Sequence, residues 1–314
     1  MFRRLFALHP WLPIPGAPLE RPWAREHATV RLPRPIFFTN KESLFTDSAG
    51  HHWRAFEYLE NTSSPPVANT LAQAYATAHT FASFTAAFGG FDASRLVETI
   101  PGFHDLGHRF HEFEQALRIA LPERKLRARD AIAALLGRQQ YKNFYAGIIA
   151  SPALYPKRVM HHDAKIANVL FEKGTGQVVC PVDFDTVMPG YFFSDLGDMI
   201  RSMACTEDEN CTDLTRIRIR EDYYDAIVSG YLQVMGPQLT KEEMGHIHYS
   251  GILMIYMQAL RFLTDYLNGD IYYQIDYPEQ NLFRANNQLM LLEQLEIHLK
   301  FPEPSIAVHH FPAK

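Results

Sequence analysis

Three runs of residues decide the fold: His161-His-Asp-Ala-Lys-Ile-Ala-Asn168, Pro181-Val-Asp-Phe-Asp-Thr-Val-Met-Pro-Gly190 and Asp195-Leu-Gly-Asp198. Short β-type runs surround them, at residues 158–160, 168–172 and 178–183. Gly174-Thr-Gly176 lies between the last two, as a hairpin turn would. Because a tight hairpin makes the outer ends of its strands neighbours, we expect Asp163 and Asn168 to lie close to Asp183 and Asp185.

This convergence of carboxylates and a carboxamide predicts a chemistry. Oxygen ligands suit Mg²⁺, which takes one or two carboxylates and completes its shell with phosphate and water. A carboxylate that does not bind the metal can accept a proton from a hydroxyl nucleophile. A base, a metal-binding Asp and an Asn are the groups that phosphoryl transfer needs. Lys165 follows the expected base, and two interpretations stay open: it steadies the transferred phosphate, or it is a solvated loop lysine.

The first run resembles the H-x-D-x-x-x-x-N catalytic loop of the aminoglycoside phosphotransferase and choline kinase group, relatives of protein kinases. The second and third runs are similar to those of N-acetylhexosamine 1-kinases, which phosphorylate the anomeric hydroxyl of N-acetylglucosamine or N-acetylgalactosamine. Trp53-Arg-Ala-Phe-Glu-Tyr-Leu-Glu-Asn-Thr62 and Thr99-Ile-Pro-Gly-Phe-His-Asp105 also resemble segments of that group. The similarity runs from about residue 33 to the end of the chain.

The resemblance implies a fold and an acceptor side for the site. The fold is α+β and protein-kinase-like, with two lobes, a reduced or truncated N-terminal lobe and a mainly helical C-terminal lobe. Asp163 is then the catalytic base toward the sugar hydroxyl, and the family's sugar-binding positions fall on Thr186, Arg261 and Tyr272. The small-molecule substrate implied is a sugar, most simply an N-acetylhexosamine phosphorylated at C1.

The resemblance also implies a nucleotide side, with ATP and Mg²⁺ as cofactors. Asn168 and Asp183 bind the metal ion. Residues 57–60 form the hinge along the adenine through backbone groups. The nucleotide-binding residues are then Glu57, Tyr58, Leu59 and Lys165, and the supporting residues are His161, Asp185 and Asp195. Of these, Asp195 orders the catalytic loop from behind.

The chain in front of the hinge departs from the family pattern. It contains a proline-rich leader and one hairpin, predicted at residues 34–38 and 52–58 around the turn Asp47-Ser-Ala-Gly50. No G-x-G-x-x-G motif and no lysine in a V-A-I-K-like strand precede the hinge. Either the chain is truncated at its beginning, or the leader does the work of the missing lobe differently. We expect residues 1–60 to form a partial N-terminal lobe with the hinge, and residues 61–314 the C-terminal lobe with the catalytic hairpin and the acceptor pocket.

Helical periodicity dominates the rest of the chain. The predicted helices cover residues 67–87, 106–120, 124–136, 140–150, 195–204, 221–235, 240–267 and 278–299. Thr240 and Glu243 have the spacing of a capping box. His104, His108 and His111 fall at i, i+4 and i+7, on one face of a possible helix, as a partly solvated polar face or, alternatively, as zinc ligands.

Composition limits the possible partners. Of 314 residues, 47% are hydrophobic and 21% charged, which excludes a disordered chain and a long coiled coil. The apolar runs fall short of the roughly 18 residues that a membrane helix needs, and a net charge of −5 offers no basic stripe for nucleic acid. We therefore expect a cytoplasmic protein with no membrane or nucleic-acid partner; its oligomeric state is left open.

Three functions follow from these observations. The first is an ATP- and Mg-dependent sugar kinase. The second, favoured by the missing phosphate loop, is a pseudokinase or truncated kinase without activity. The third keeps the enzyme and changes the acceptor to an aminoglycoside or an amino alcohol, which the catalytic loop alone would allow.

Overall fold

A computed structural model of the protein describes residues 31–301. The leader up to residue 30 lies outside the described residues. The small sheets lie in the front and the middle of the described chain, and helices make up most of the rest. The predicted α+β class is therefore confirmed.

The front of the described chain is a nested hairpin. Strand β1 (Pro35–Ile36) pairs with β4 (Ala55–Phe56), and β2 (Phe45–Thr46) pairs with β3 (His52–Trp53), both antiparallel. The turn is held by Asp47, whose carboxylate accepts hydrogen bonds from the backbone of Ala49 and His51, both at 2.9 Å. The predicted hairpin and its turn are confirmed, although its strands are only two residues long.

The two motif loops leave neighbouring strands. Strand β5 (Thr62–Ser63) pairs with β7 (Val169–Glu172), and β7 pairs with β8 (Val178–Pro181), while β6 (Arg158–Met160) pairs with β9 (Met188–Gly190). The loop of residues 161–168 therefore runs from β6 to β7, and the turn of residues 182–187 runs from β8 to β9. Since β6 pairs with β9 and β7 with β8, both loops begin and end on paired strands and lie side by side.

The segment that follows the expected domain boundary at residue 60 packs on the hairpin of strands β7 and β8. Strand β5 lies within residues 61–66, a segment rich in Ser and Pro, and the Ser64 hydroxyl donates to the Ala167 carbonyl in the loop of residues 161–168. A division at residue 60 stays a prediction.

Ten helices make up most of the described chain after residue 70. They are α1 Leu71–Ala87, α2 Leu106–Ile119, α3 Pro122–Arg127, α4 Arg129–Leu136, α5 Gln140–Ile149, α6 Phe193–Met203, α7 Glu221–Met235, α8 Lys241–Gly245, α9 Tyr249–Leu267 and α10 Gln280–His298. The helix predicted from residue 67 begins four residues later, because the Thr70 side chain caps it by accepting from the Gln73 N–H.

Two predicted helices are each divided in the structure. The segment 124–136 forms α3 and α4, which meet at Ala128, and the segment 240–267 forms α8 and α9. The capping box of Thr240 and Glu243 is confirmed at the start of α8. The short helix then ends at Gly245, a poor helix former, before α9 starts.

The main core lies around α9, most of whose residues are buried on every side. It packs against α2, α6 and α10. Gly197 of α6 permits this approach, because a Cβ there would lie 2.3 Å from the Ser250 carbonyl oxygen. Among residues 31–301, no helix is both long and apolar enough to cross a bilayer.

Candidate active site

The loop of residues 161–168, predicted to be the catalytic loop and called so below, begins with two histidines whose backbone N–H groups are bound by Asp195. This carboxylate, on α6, is fully buried and accepts from His161 N at 2.9 Å and from His162 N at 2.7 Å. Burial raises the pKa of Asp195 to about 7, although the two backbone donors act in the opposite direction. The bonds hold His162 in the left-handed region, at φ 65°, immediately before Asp163.

The side chain of His161 joins the loop to the neighbouring turn. Its Nε2 lies 3.1 Å from the carbonyl oxygen of Val182, which can only accept, so Nε2 carries the hydrogen. The Nδ1 atom is then an acceptor for Asp163 N, at 3.4 Å. Burial lowers the pKa of His161 to about 4, so the ring is neutral at physiological pH.

Asp163, Lys165 and Asn168 form one hydrogen-bonded group. Oδ2 of Asp163 accepts from the Lys165 ammonium and from the Asn168 amide, each at 2.8 Å. Burial alone would lower the pKa of Lys165, but the Asp163 charge and this hydrogen bond raise it. The lysine is therefore an ion-pair partner of the expected base rather than a purely solvated loop residue. The second carboxylate oxygen, Oδ1, accepts no hydrogen bond from residues 31–301.

The Asp183 turn lies beside this group. Asp183 itself adopts the left-handed conformation, at φ 67° and ψ 66°, and begins a short 3-10 helix over residues 184–186. Phe184 is anchored by the ring of Phe84, stacked at 5.6 Å between centroids. The Thr186 hydroxyl donates to the His161 carbonyl at 2.6 Å. This threonine, expected at the start of a sugar pocket, thus ties the turn to the catalytic loop.

The residues expected to hold a metal ion fit Mg²⁺ in their donor chemistry. Asn168 uses its amide nitrogen on Asp163, on the backbone oxygen at 2.9 Å as well as on Oδ2, so its amide oxygen is the atom directed to a ligand. Together with the Asp183 carboxylate this is a hard oxygen set. No cluster of three or more His, Cys, Asp or Glu side chains in residues 31–301 is placed to hold a metal, so the zinc alternative has no support there.

Asp185 reaches the front hairpin. Its carboxylate forms an ion pair with Arg54, which lies between β3 and β4. The two side chains are only 14% and 21% exposed, and the guanidinium also lies 5.4 Å from the centre of the Phe56 ring. Sequence reasoning overlooked Arg54, and its available signal was a single charge inside an aromatic-rich strand.

The expected hinge residues differ in their exposure. The Glu57 carboxylate accepts a hydrogen bond from the Arg34 N–H at 3.1 Å, and the Glu57 N–H donates to the Arg34 carbonyl. The Tyr58 side chain is 86% exposed, and Leu59 is buried. The Leu59 carbonyl accepts from the Thr62 hydroxyl at 2.7 Å.

The three histidines predicted on one helix face separate. Helix α2 begins at Leu106 with Asp105 as N-cap, so His104 precedes it, whereas His108 and His111 are exposed on it. His104 Nδ1 lies 2.8 Å from the Ser194 hydroxyl and 3.1 Å from His162 Nδ1. The prediction of a shared face was wrong for His104, because the N-cap sets where the helix starts.

Arg261 and Tyr272 line one open cavity of about 330 Å³. The Arg261 guanidinium lies over three aromatic rings, Phe103 at 4.9 Å, Tyr272 at 5.9 Å and Tyr273 at 5.6 Å. Phe103 stacks on His104 at 4.6 Å, and His104 contacts His162, which directly precedes Asp163. A continuous line of contacts thus connects the cavity with the catalytic loop.

The loop that carries Tyr272 is anchored by a buried carboxylate. Asp265 accepts from the backbone N–H groups of Ile271, Tyr272 and Tyr273 at 2.8–3.0 Å. It also accepts from the Asn281 amide at 2.9 Å. These four donors keep the two tyrosines in place at the mouth of the cavity.

The structure therefore brings together most of the expected residues. Two groups form: the catalytic loop with the Asp183 turn, and the cavity of Arg261 and Tyr272. Arg54, His104, His162 and Ser194 belong to the first group and were not expected there.

Known proteins share this arrangement of elements. A family model named APH, described as "Phosphotransferase enzyme family", matches residues 20–236, more than half of the chain. An aminoglycoside phosphotransferase from Alicyclobacillus acidocaldarius subsp. acidocaldarius DSM 446 has a similar structure, with a TM-score of 0.55 and 14% identity over 88% of this chain and 80% of that chain. A choline/ethanolamine kinase family protein from Mesorhizobium loti has a TM-score of 0.50 and 14% identity over 90% and 78%. These likenesses confirm the predicted kinase-like fold.

Proposed function

The chain belongs to the APH phosphotransferase enzyme family, and from that premise we propose that it transfers the γ-phosphoryl group of ATP to a hydroxyl of a small neutral sugar. The favoured acceptor is C1 of an N-acetylhexosamine. The observation that carries the proposal is the Asp163 carboxylate, held through Oδ2 by Lys165 and Asn168 at 2.8 Å each, beside the Asp183 turn.

The reaction assigns one role to each group of the catalytic loop. Oδ1 of Asp163 accepts the acceptor's hydroxyl proton as the oxygen attacks the γ-phosphorus. The bond from phosphorus to the bridging β–γ oxygen breaks, and ADP leaves with that electron pair. Lys165, whose pKa is raised beside Asp163, stays protonated and supplies positive charge next to the transferred group.

Asn168 and Asp183 would hold the metal ion. When bound, Mg²⁺ neutralises negative charge on the phosphate oxygens. The two residues are positioned by the hydrogen bonds of Asn168 to Asp163 and by the left-handed turn at Asp183. Positioning of this kind accounts for most of the catalysis in phosphoryl transfer.

The charges around the Arg261 cavity support a neutral acceptor over a cationic one. Two acidic residues line it, and both have partners: Glu112 pairs with Arg109 at 2.9 Å, and Asp265 binds backbone N–H groups. Arg261 has no carboxylate within ion-pair distance in residues 31–301, and its Nη1 donates only to Gln258, at 3.2 Å. An aminoglycoside or amino alcohol would therefore meet arginines and no carboxylate without a partner. The cavity volume falls in the range of small-molecule sites, roughly 300–1,000 Å³.

The test is phosphoryl transfer from labelled ATP with Mg²⁺ to N-acetylglucosamine, N-acetylgalactosamine, an aminoglycoside and choline, each beside Asp163→Asn. We expect phosphoryl transfer to a sugar. Asp163→Asn should lower the rate of this transfer by about 100-fold to 10,000-fold, the usual contribution of a positioned base. Transfer to choline or to the aminoglycoside, with none to either sugar, would contradict the proposal of a sugar acceptor. No transfer above the variant with any acceptor would leave the alternative of a pseudokinase or truncated kinase.

A further inference from the structure

Arg54 is the residue through which the front hairpin contacts the metal-binding turn. It lies between β3 and β4, and its guanidinium pairs with the carboxylate of Asp185, two residues after Asp183. Both side chains are largely removed from solvent. A pair in such surroundings is screened less than a surface pair, and loss of one partner leaves the other charge buried.

The charge of Asp183 also acts on Arg54. Burial lowers the pKa of Arg54, and the negative charge of Asp183 opposes that shift, so the guanidinium lies within electrostatic reach of both carboxylates of the turn. An arginine remains protonated under such shifts. One cation of the front hairpin therefore faces two carboxylates of the turn.

The turn needs such support because its backbone is strained. A left-handed conformation in a residue other than glycine is unfavourable and persists only where the surroundings fix it. Asp183 has φ 67°, and the short helix that follows it contains Asp185. Thr186 and Phe184 hold the turn on its C-terminal lobe side, and Arg54 holds it from the front hairpin.

We propose that Arg54 is a positioning residue for the metal-binding turn: by pairing with Asp185 it fixes the orientation in which Asp183 binds the metal ion with ATP. The front hairpin thereby contributes to the nucleotide site although its sequence has no lysine in a V-A-I-K-like strand. The inference rests on the proposed function, since it assumes that Asp183 binds the metal ion.

The test measures metal binding directly. Mn²⁺ serves as the probe, and its affinity with ATP is followed by electron paramagnetic resonance in the full chain. We compare Arg54→Met, which keeps the apolar stem over Phe56, with Arg54→Lys, Asp185→Asn and the double variant Arg54→Met/Asp185→Asn. Arg95→Ala is the matched control, an exposed arginine 5.8 Å from the Phe91 ring. Asp183→Asn defines loss of the site.

We expect Arg54→Met to weaken Mn²⁺ binding by about 10-fold to 100-fold, as loss of an outer partner of a metal ligand does. Lysine should restore part of the affinity, and the double variant should be no weaker than its worse single variant, because both substitutions remove one interaction. Arg95→Ala should bind as the unchanged protein does.

Unchanged Mn²⁺ affinity in folded Arg54→Met, or effects that add in the double variant, would overturn the inference while leaving the proposed function standing. If Arg54→Met does not fold, the Mn²⁺ affinities of Arg54→Lys and Asp185→Asn are compared with that of the unsubstituted protein instead. Unchanged affinity in both would overturn the inference. If Asp183→Asn binds Mn²⁺ with ATP as tightly as the unsubstituted protein does, the proposed metal site itself is overturned, and the inference with it.

Discussion

The Asp195 carboxylate accepts a 2.7 Å hydrogen bond from the backbone of His162, a residue 33 positions earlier in the chain. Its second oxygen accepts from His161 N at 2.9 Å. Two backbone donors of the catalytic loop, which strands β6 and β7 leave unpaired, are thus satisfied by one buried side chain. The same two bonds stabilise the left-handed backbone of His162, and this fixes the direction in which the chain enters Asp163.

Asp195→Asn is expected to lower both stability and turnover. An asparagine offers one oxygen and turns its amide N–H groups toward a backbone donor, so one buried N–H loses its acceptor. We expect a loss of about 1–3 kcal/mol in the free energy of unfolding and a fall in kcat larger than any change in the KM for ATP. Urea unfolding and steady-state kinetics measure the two effects. Asp92→Asn is the control, because asparagine caps a helix as well as the exposed Asp92 does; equal effects of both substitutions would contradict the role of Asp195.

The pH dependence of stability should reveal the titration of His162, one of the two buried histidines of the loop. Burial lowers the pKa of His162 to about 3, so between that value and the unfolded pKa of about 6.5 the unfolded state binds the additional proton. The contribution of His162 to the free energy of unfolding therefore falls as pH is lowered below about 6.5. Asp195, with its pKa raised to about 7, changes stability with pH in the opposite direction. It is present both in the protein and in the His162→Asn variant, so its contribution is common to the two.

His162→Asn removes this titration and keeps a residue that tolerates the left-handed conformation. The loss of unfolding free energy on substitution should be smaller at pH 5 than at pH 7.5, by about 2 kcal/mol for a single group. Urea unfolding at the two pH values measures it. A loss that does not change between them would show that His162 takes up no proton on unfolding.

Much of the site could be predicted from short-range sequence. The spacing of Asp163, Asn168 and Asp183 around a β-hairpin predicts their approach, because a hairpin fixes which chain ends are neighbours. The Thr240 capping box is local in the same way and was found correctly. Helix ends were less predictable: α1 starts at Leu71, directly after its cap residue Thr70, and the Asp105 cap places His104 outside α2.

Contacts between distant segments could not be predicted. The Arg54–Asp185 ion pair joins residues far apart in sequence, and nothing near Arg54 indicates which carboxylate it will meet. The same holds for His104 and Ser194, whose side chains are in contact although the residues lie 90 positions apart in the chain. Such pairs depend on the packing of whole elements, which local patterns do not specify.

Gly190→Ala tests the packing behind the catalytic loop. A Cβ on Gly190 would lie 2.6 Å from the His162 ring, which is buried and hydrogen-bonded to His104 and Ser194. We expect a loss of about 1–3 kcal/mol in the free energy of unfolding, together with reduced turnover. Gly147→Ala in α5 is the control, since its Cβ meets nothing within 4 Å and alanine favours a helix by up to about 1 kcal/mol. Thermal unfolding compares the two; destabilisation by Gly147→Ala alone would contradict this account.

Arg261→Met tests the acceptor cavity separately from the nucleotide site. The guanidinium lies over Phe103 and Tyr272 and has no carboxylate partner in the described residues, so its donors are available to a sugar. Loss of hydrogen bonds from a charged donor to a neutral sugar costs about 1.5–3 kcal/mol, or roughly a tenfold to hundredfold rise in the KM for the sugar.

The KM for ATP should not change in this variant, because Arg261 lies in the cavity and not at the Asp183 turn. Arg284→Met is the matched control: this arginine also lies over an aromatic ring, Phe262 at 5.5 Å, and does not line the cavity. Steady-state kinetics with each substrate varied in turn give both constants. A rise in the KM for ATP with an unchanged KM for the sugar would place Arg261 on the nucleotide side and remove the cavity from the acceptor site, and equal effects of the two arginines would attribute the change to stability.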